Sequence, residues 1–154
     1  MLILSATNQS IELLLSGNVT TNQLEYTSSF IDITSTTTTP GSNAGTTSNP
    51  PTTATAVDVP GVSTTRHIKS LSIYNKDTVA ATVTIQKKIN TTIRILCKVT
   101  LSVGDNLIYA DGEGFSVISS SGAYKTTSDP YTVISAGAQS ANSGTIVFSN
   151  SNGV

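Results

Sequence analysis

The chain is 154 residues long, with 37% hydrophobic, 11% charged and 5% aromatic residues, and it holds 26 threonines and 22 serines. About a quarter of an ordinary soluble domain is charged, so this chain carries less than half the usual complement. Eight basic residues against nine acidic ones provide no basic face for nucleic acid, no stretch approaches the ~20 apolar residues of a membrane-spanning helix, and a single cysteine, Cys97, excludes an intrachain disulfide framework or a Cys-rich zinc site.

Low charge is the reverse of the disorder signature. The length suits one domain, large enough to build a core without covalent staples. The opening Met1-Leu2-Ile3-Leu4 is too short for a signal-peptide core and lacks a basic leader, so synthesis in the cytoplasm without a signal peptide is expected.

In chain order, Ile11, Leu13 and Leu15 alternate before Gly17 and Asn18 break the run. Residues 23–34 read as a strand pair or one bulged strand, with Leu24, Tyr26, Ile31 and Ile33 as apolar positions. Residues 35–56 are uncharged and rich in Thr, Ser and Pro, and they lack a large apolar residue. A segment with nothing to bury cannot offset its ordering entropy, so a loop or linker is expected there, ordered by a neighbouring subunit if at all.

From residue 57 to 122 the spacing predicts a β-meander. Leu71 and Ile73 share one face, then Val79, Ala81, Val83 and Ile85, then Ile93, Ile95, Cys97, Val99 and Leu101. Alternate side chains on a strand point to opposite faces, so these residues are the predicted core of the meander. Asn75-Lys76-Asp77, Lys88 to Thr91, Val103 to Asn106 and Asp111 to Gly114 supply its turns. The C-terminal stretch, 123–154, alternates again at Tyr131 and Val133 and at Ile146 and Phe148, and its Asn152-Gly153 lacks the second strand of a hairpin. That ending reads as a passage into a missing distal region. No window sustains a 3.6-residue period, and dense β-branching favours the pleated surface. The expected fold is therefore all-β: an antiparallel, jelly-roll-like β-sandwich with an N-terminal hairpin or arm over 1–34, an extended C-terminal β segment and almost no helix.

The stock of catalytic groups is thin. His67 is the sole histidine, and no motif brings it a nucleophile and an orienting acid, so it reads as a surface or strand-entry residue. Cys97 falls on the apolar side of its run and reads as a small hydrophobe. Asp105, Asp111, Glu113 and Asp129 are the densest acids. Asp111-Gly112-Glu113 lacks the alternating ladder of an EF-hand, and turn chemistry explains it without calcium. A carboxylate pair for glycoside cleavage would need sugar-binding aromatics, which are scarce here. No enzyme activity, metal or cofactor is expected. Lys87, Lys88, Arg94 and Lys98 concentrate on one predicted hairpin, either as a solvated face that discourages edge aggregation or as the contact to an acidic partner.

Three blocks also carry a resemblance: Val-Thr-Thr-Asn-Gln-Leu at 19–24, Asp-Ile-Thr-Ser-Thr-Thr-Thr-Thr-Pro-Gly at 32–41, and the run from Ser70 through Ile85, continued by Lys98 to Val117 with Ser121-Gly122. Their order over residues 19–122 resembles small virion proteins of tailed bacteriophages, of the fibre-anchoring or capsid-decoration type. Ile134 to Ser140 with Ser143 to Val154 is similar to a segment of long phage fibre proteins. The resemblance implies a structural role without catalytic residues. The chain would be the N-terminal anchoring part of a tail, neck or head fibre, or else a decoration protein cementing the head. It would assemble as a homotrimer in the virion, contact capsid, neck or tail proteins, and reach the host surface through a distal region.

Overall fold

Residues 1–49 and 51–125 are described by a computed structural model, and among them stand ten β-strands and no helix. In chain order these are β1 (Leu2–Leu4), β2 (Gln9–Leu15), β3 (Glu25–Ile33), β4 (Thr38–Thr46), β5 (Ala54–Val57), β6 (Thr65–Tyr74), β7 (Ala81–Ile89), β8 (Thr92–Leu101), β9 (Asn106–Ala110) and β10 (Gly114–Ile118). They form two antiparallel sheets. One has the order β10-β9-β6-β3-β4, with β1 also on β6, and the other has the order β5-β2-β7-β8. The expected all-β class holds. Ile11, Leu13 and Leu15 of β2 and Val83 and Ile85 of β7 form one buried cluster with Ile68, Leu71 and Ile73 of β6 and Leu107 and Tyr109 of β9. Each fully buried aliphatic side chain contributes about 1.5–3 kcal/mol.

The N-terminal residues are integral to both sheets. β2 lies between β5 and β7, and β1 shares one edge of β6 end to end with β9. Lys69 is an extra residue in β6, where the pairing with β3 shifts register, and its carbonyl accepts the Asp111 amide where β1 gives way to β9. β3 is a single strand rather than a pair, and the bulge expected within it falls on its partner β6.

Residues 35–56, expected as a loop or linker, carry β4 and β5 instead. β4 pairs with β3 over nine residues, from Thr38 opposite Ile33 to Thr46 opposite Glu25. The burial this segment lacks is supplied by its partner, because Phe30 and Tyr26 lie across Gly41 and Gly45. A β-carbon on Gly41 would run into the Phe30 ring, and one on Gly45 would stand 2.6 Å from the Tyr26 hydroxyl. Aromatic side chains here cover the bare backbone of an edge strand. Pro40 sits in that edge strand, where a missing N–H breaks no interior ladder.

The expected meander is divided between the sheets, since β6, β9 and β10 belong to one and β7 and β8 to the other. Its connections at 75–80 and 102–105 are therefore crossovers. The core prediction holds for Leu71, Ile73, Val83, Ile85 and Leu101, and the half-buried Cys97 and Val99 pack against the same cluster. It fails at three positions. Val79 falls in the turn before β7 and is 43% exposed, while Ile93 and Ile95 of β8 are 42% and 67% exposed. The cause is a register shift: Ile85 faces Cys97 but Gln86 faces Ile95, so Leu96 is inserted. One extra residue turns the preceding side chains to the opposite face. The β7–β8 hairpin closes on Asn90 and Thr91, and Asn90 adopts the positive φ that a two-residue loop requires. Lys88 and Ile89, expected in that turn, belong to β7. The predicted strand residues Tyr131, Val133, Ile146 and Phe148 lie outside the described residues.

Candidate functional surface

The ionisable side chains divide into those that tie loops together and those left facing outward. Three crossovers between the sheets, at 16–24, 75–80 and 102–105, meet at one end of the double layer. Asp77 binds the first to the second. Its Oδ2 accepts the Thr20 amide at 2.7 Å, and its Oδ1 accepts the amides of Thr21, Asn22 and Thr78 at 2.8, 3.0 and 2.8 Å. The Thr20 bond leads, and with the other three amides it outweighs burial, holding the carboxyl well below the usual range. Asn75 binds the second crossover to the third. Its Nδ2 donates to the carbonyls of Val79, Leu101 and Ser102, and its Oδ1 accepts the Asp77 amide. The Asn75 amide and carbonyl also pair with the Asp105 carbonyl and the Gly104 amide. The sequence marks Asn75 and Asp77 as turn formers, whereas their role as clamps depends on partners about 20 to 60 positions away.

Three further aspartates are engaged as well. Burial pushes the Asp105 carboxyl up, but the Lys125 ammonium and the Ser102 amide outweigh it and hold it below the ordinary range. Asp111 is lowered by its bond from Lys69, at 2.8 Å. Asp32 accepts both arms of the Arg66 fork at 2.7 and 2.8 Å and is lowered by that bond first. The same guanidinium lies 3.7 Å from the centre of the Phe30 ring. Glu113 is exposed in its turn, and Asp129 lies outside the described residues. His67 is half-buried in β6, opposite Ile3 and Ile31.

Of the four cations expected as a solvated face or a partner contact, two serve the fold. Lys87 donates to the Ile3 carbonyl at 2.7 Å, tying the two sheets, and its burial lowers the ammonium pKa. Lys88 pairs with the buried Glu12 at 3.2 Å. Arg94 and Lys98, both on β8, are exposed and have no ionic partner among the described residues. They flank the exposed Ile95.

The two flanks of the double layer are built differently. On the β4/β5 flank, side chains of one sheet bond the backbone of the other. Tyr26 donates to the Thr55 carbonyl at 3.0 Å, Ser28 donates to the Ala56 carbonyl at 2.7 Å, and Asn43 reaches both. On the opposite flank, edge strands β8 and β10 stand apart across a groove of about 520 Å³. Cys97, Val99, Phe115 and Val117 line it and pack at the same time against the core. Burial raises the Cys97 thiol pKa, as suits an apolar residue rather than a nucleophile. Lys125 closes one end through Asp105 and Ser102.

No protein family matches this chain, and neither a curated protein nor a solved structure is significantly similar to it.

Proposed function

We propose that the chain is a structural protein of a tailed-bacteriophage particle, the N-terminal anchoring part of a fibre that attaches it to tail, neck or head as a homotrimer. Made in the bacterial cytoplasm, it would reside in the virion, docked on capsid, neck or tail proteins. The observation that supports this reading best is the crossover end, where one carboxylate and one amide side chain tie three loops into a single unit. A particle component must survive outside the cell without chaperones, and loops bonded to one another leave few local openings for proteolysis. The acids support a structural role too, since Asp32, Asp77, Asp105 and Asp111 each hold a neighbouring segment in place.

Negative-stain microscopy of whole particles decorated with a Fab against this chain tests the proposal. Label at the tail, neck or a few head sites is the expected result. Label over the whole head would replace the fibre reading with capsid decoration, and unlabelled particles from an infection that expresses the chain would remove it from the virion.

A further inference from the structure

We infer that the β8 edge is a docking site for an extended segment of another protein, one that alternates apolar side chains with carboxylates. This inference stands apart from the virion reading, because it rests on the long edge strands of the two sheets and on what flanks them. A free edge strand is a template for pairing unless something blunts it. β4 carries Pro40, and β5 has its carbonyls bonded by Tyr26, Ser28 and Asn43. The last residues of β10 are met by the chain itself, with Tyr124 opposite Ile118 and the Lys125 amide donating to the Val117 carbonyl. β8 has ten residues, no proline and no covering element among the described residues.

The chemistry of a fitting segment follows from what flanks that edge. On one side lies the groove, floored by Cys97, Val99, Phe115 and Val117, where the core is covered by neither sheet. Apolar side chains from an added strand would complete it. On the outer face stand the exposed Ile93, Ile95 and Lys98, while Arg94, paired with Lys87, projects at the exposed end of the groove face. Two cations with no ionic partner among the described residues call for carboxylates. A second copy meets this need poorly, since pairing β8 with itself would bring Arg94 and Lys98 of both copies to one seam, and β8 holds no carboxylate. Main-chain hydrogen bonds would supply affinity, and the alternating side chains would supply selectivity.

Hydrogen exchange on the full chain, alone and with a blocked ten-residue peptide of alternating valine and glutamate, tests this. The free chain should exchange the outward β8 amides quickly, and the peptide should slow them. The valine–lysine counterpart should not. The double charge reversal R94E/K98E changes two exposed positions and should weaken binding by about tenfold, the sum of two rim charges. Added salt should weaken the wild-type complex as well. Protection of β8 in the free chain at every concentration would assign the flank to the chain's own remaining residues, and protection growing with concentration would assign it to a second copy. Either result overturns the inference, as would equal binding of both peptides or protection confined to other strands.

Discussion

Gly45→Val probes the least expected part of the architecture, the pairing of a threonine-rich, uncharged strand with β3. Gly45 has ordinary extended backbone, so the obstacle to a side chain is purely the Tyr26 ring, whose Oη and Cζ would stand 2.6 and 2.8 Å from a new β-carbon. Tyr26 is 8% exposed and is held by its bond to the Thr55 carbonyl, which leaves it little room to move. Overpacking costs about 1–3 kcal/mol, and displacing the hydroxyl leaves the Tyr26 donor unmet, at about 1–3 kcal/mol, while Asn43 still reaches the Thr55 carbonyl. Valine recovers up to ~1 kcal/mol over glycine in a strand. The net loss centres on about 3 kcal/mol, which at ~2–4 °C per kcal/mol for a chain of this size lowers the melting temperature by roughly 6–12 °C. Calorimetry or a circular-dichroism melt reads it directly. Gly17→Ala is the control, since a β-carbon there meets nothing within 4 Å. Tyr26→Phe removes the nearest clashing atom, so Gly45→Ala should cost less in that background than in wild type. A Gly45→Val protein melting within about 2 °C of wild type would refute the reasoning, because Tyr26 would then not lie across β4.

Two further expectations concern acid and register. The carboxyls of Asp32, Asp77, Asp105 and Asp111 are all lowered in the folded protein, so their stabilisation is in force above the unfolded range near ~4 and is lost as pH falls through the folded values. Melting temperature should be flat from about pH 7 to pH 5 and fall below about pH 4. Asp77→Asn should melt lower at neutral pH and show a shallower acid limb, and an unchanged limb would exclude Asp77 as a clamp. In β8, Ile95→Asp should remain folded within about 0.5 kcal/mol of wild type, as exposed positions do, whereas Ile85→Ala in β7 should lose about 2–5 kcal/mol. Chemical denaturation of both variants distinguishes the observed register from an unbroken alternation, which would make Ile95→Asp the more damaging change.

The alternation rule located Val83, Ile85, Leu71, Ile73 and Leu101 correctly because each lies in a strand whose inner face is the core. It failed at Ile93 and Ile95 because nothing in Ile-Arg-Ile-Leu-Cys-Lys marks the inserted Leu96. A bulge is defined by the partner strand, not by its own residues. Residues 38–46 went unread for a related reason, since their apolar cover comes from β3. One signal was present all the same: Tyr26 and Phe30 are four residues apart, as are Gly41 and Gly45, and antiparallel register sets each aromatic opposite a glycine. At the candidate surface, composition isolated the cation cluster, but only tertiary partners separate Lys87 and Lys88, which serve the fold, from Arg94 and Lys98, which face outward. The clamping roles of Asn75 and Asp77 were out of reach for the same reason.

The lacing of β5 bears on how freely that stretch can change over time. Its acceptors are the carbonyls of Thr55 and Ala56, which any residue at those positions would present equally well. The information that shuts this flank is therefore written in Tyr26, Ser28 and Asn43, while β5 need only keep the small apolar side chains of Ala54, Ala56 and Val57 in the core. Thr55, the one β5 residue outside the core, can drift among threonine, serine and alanine with little consequence for shape. The closure of this flank is thus specified by residues of β3 and β4, and β5 contributes its backbone acceptors and its core side chains.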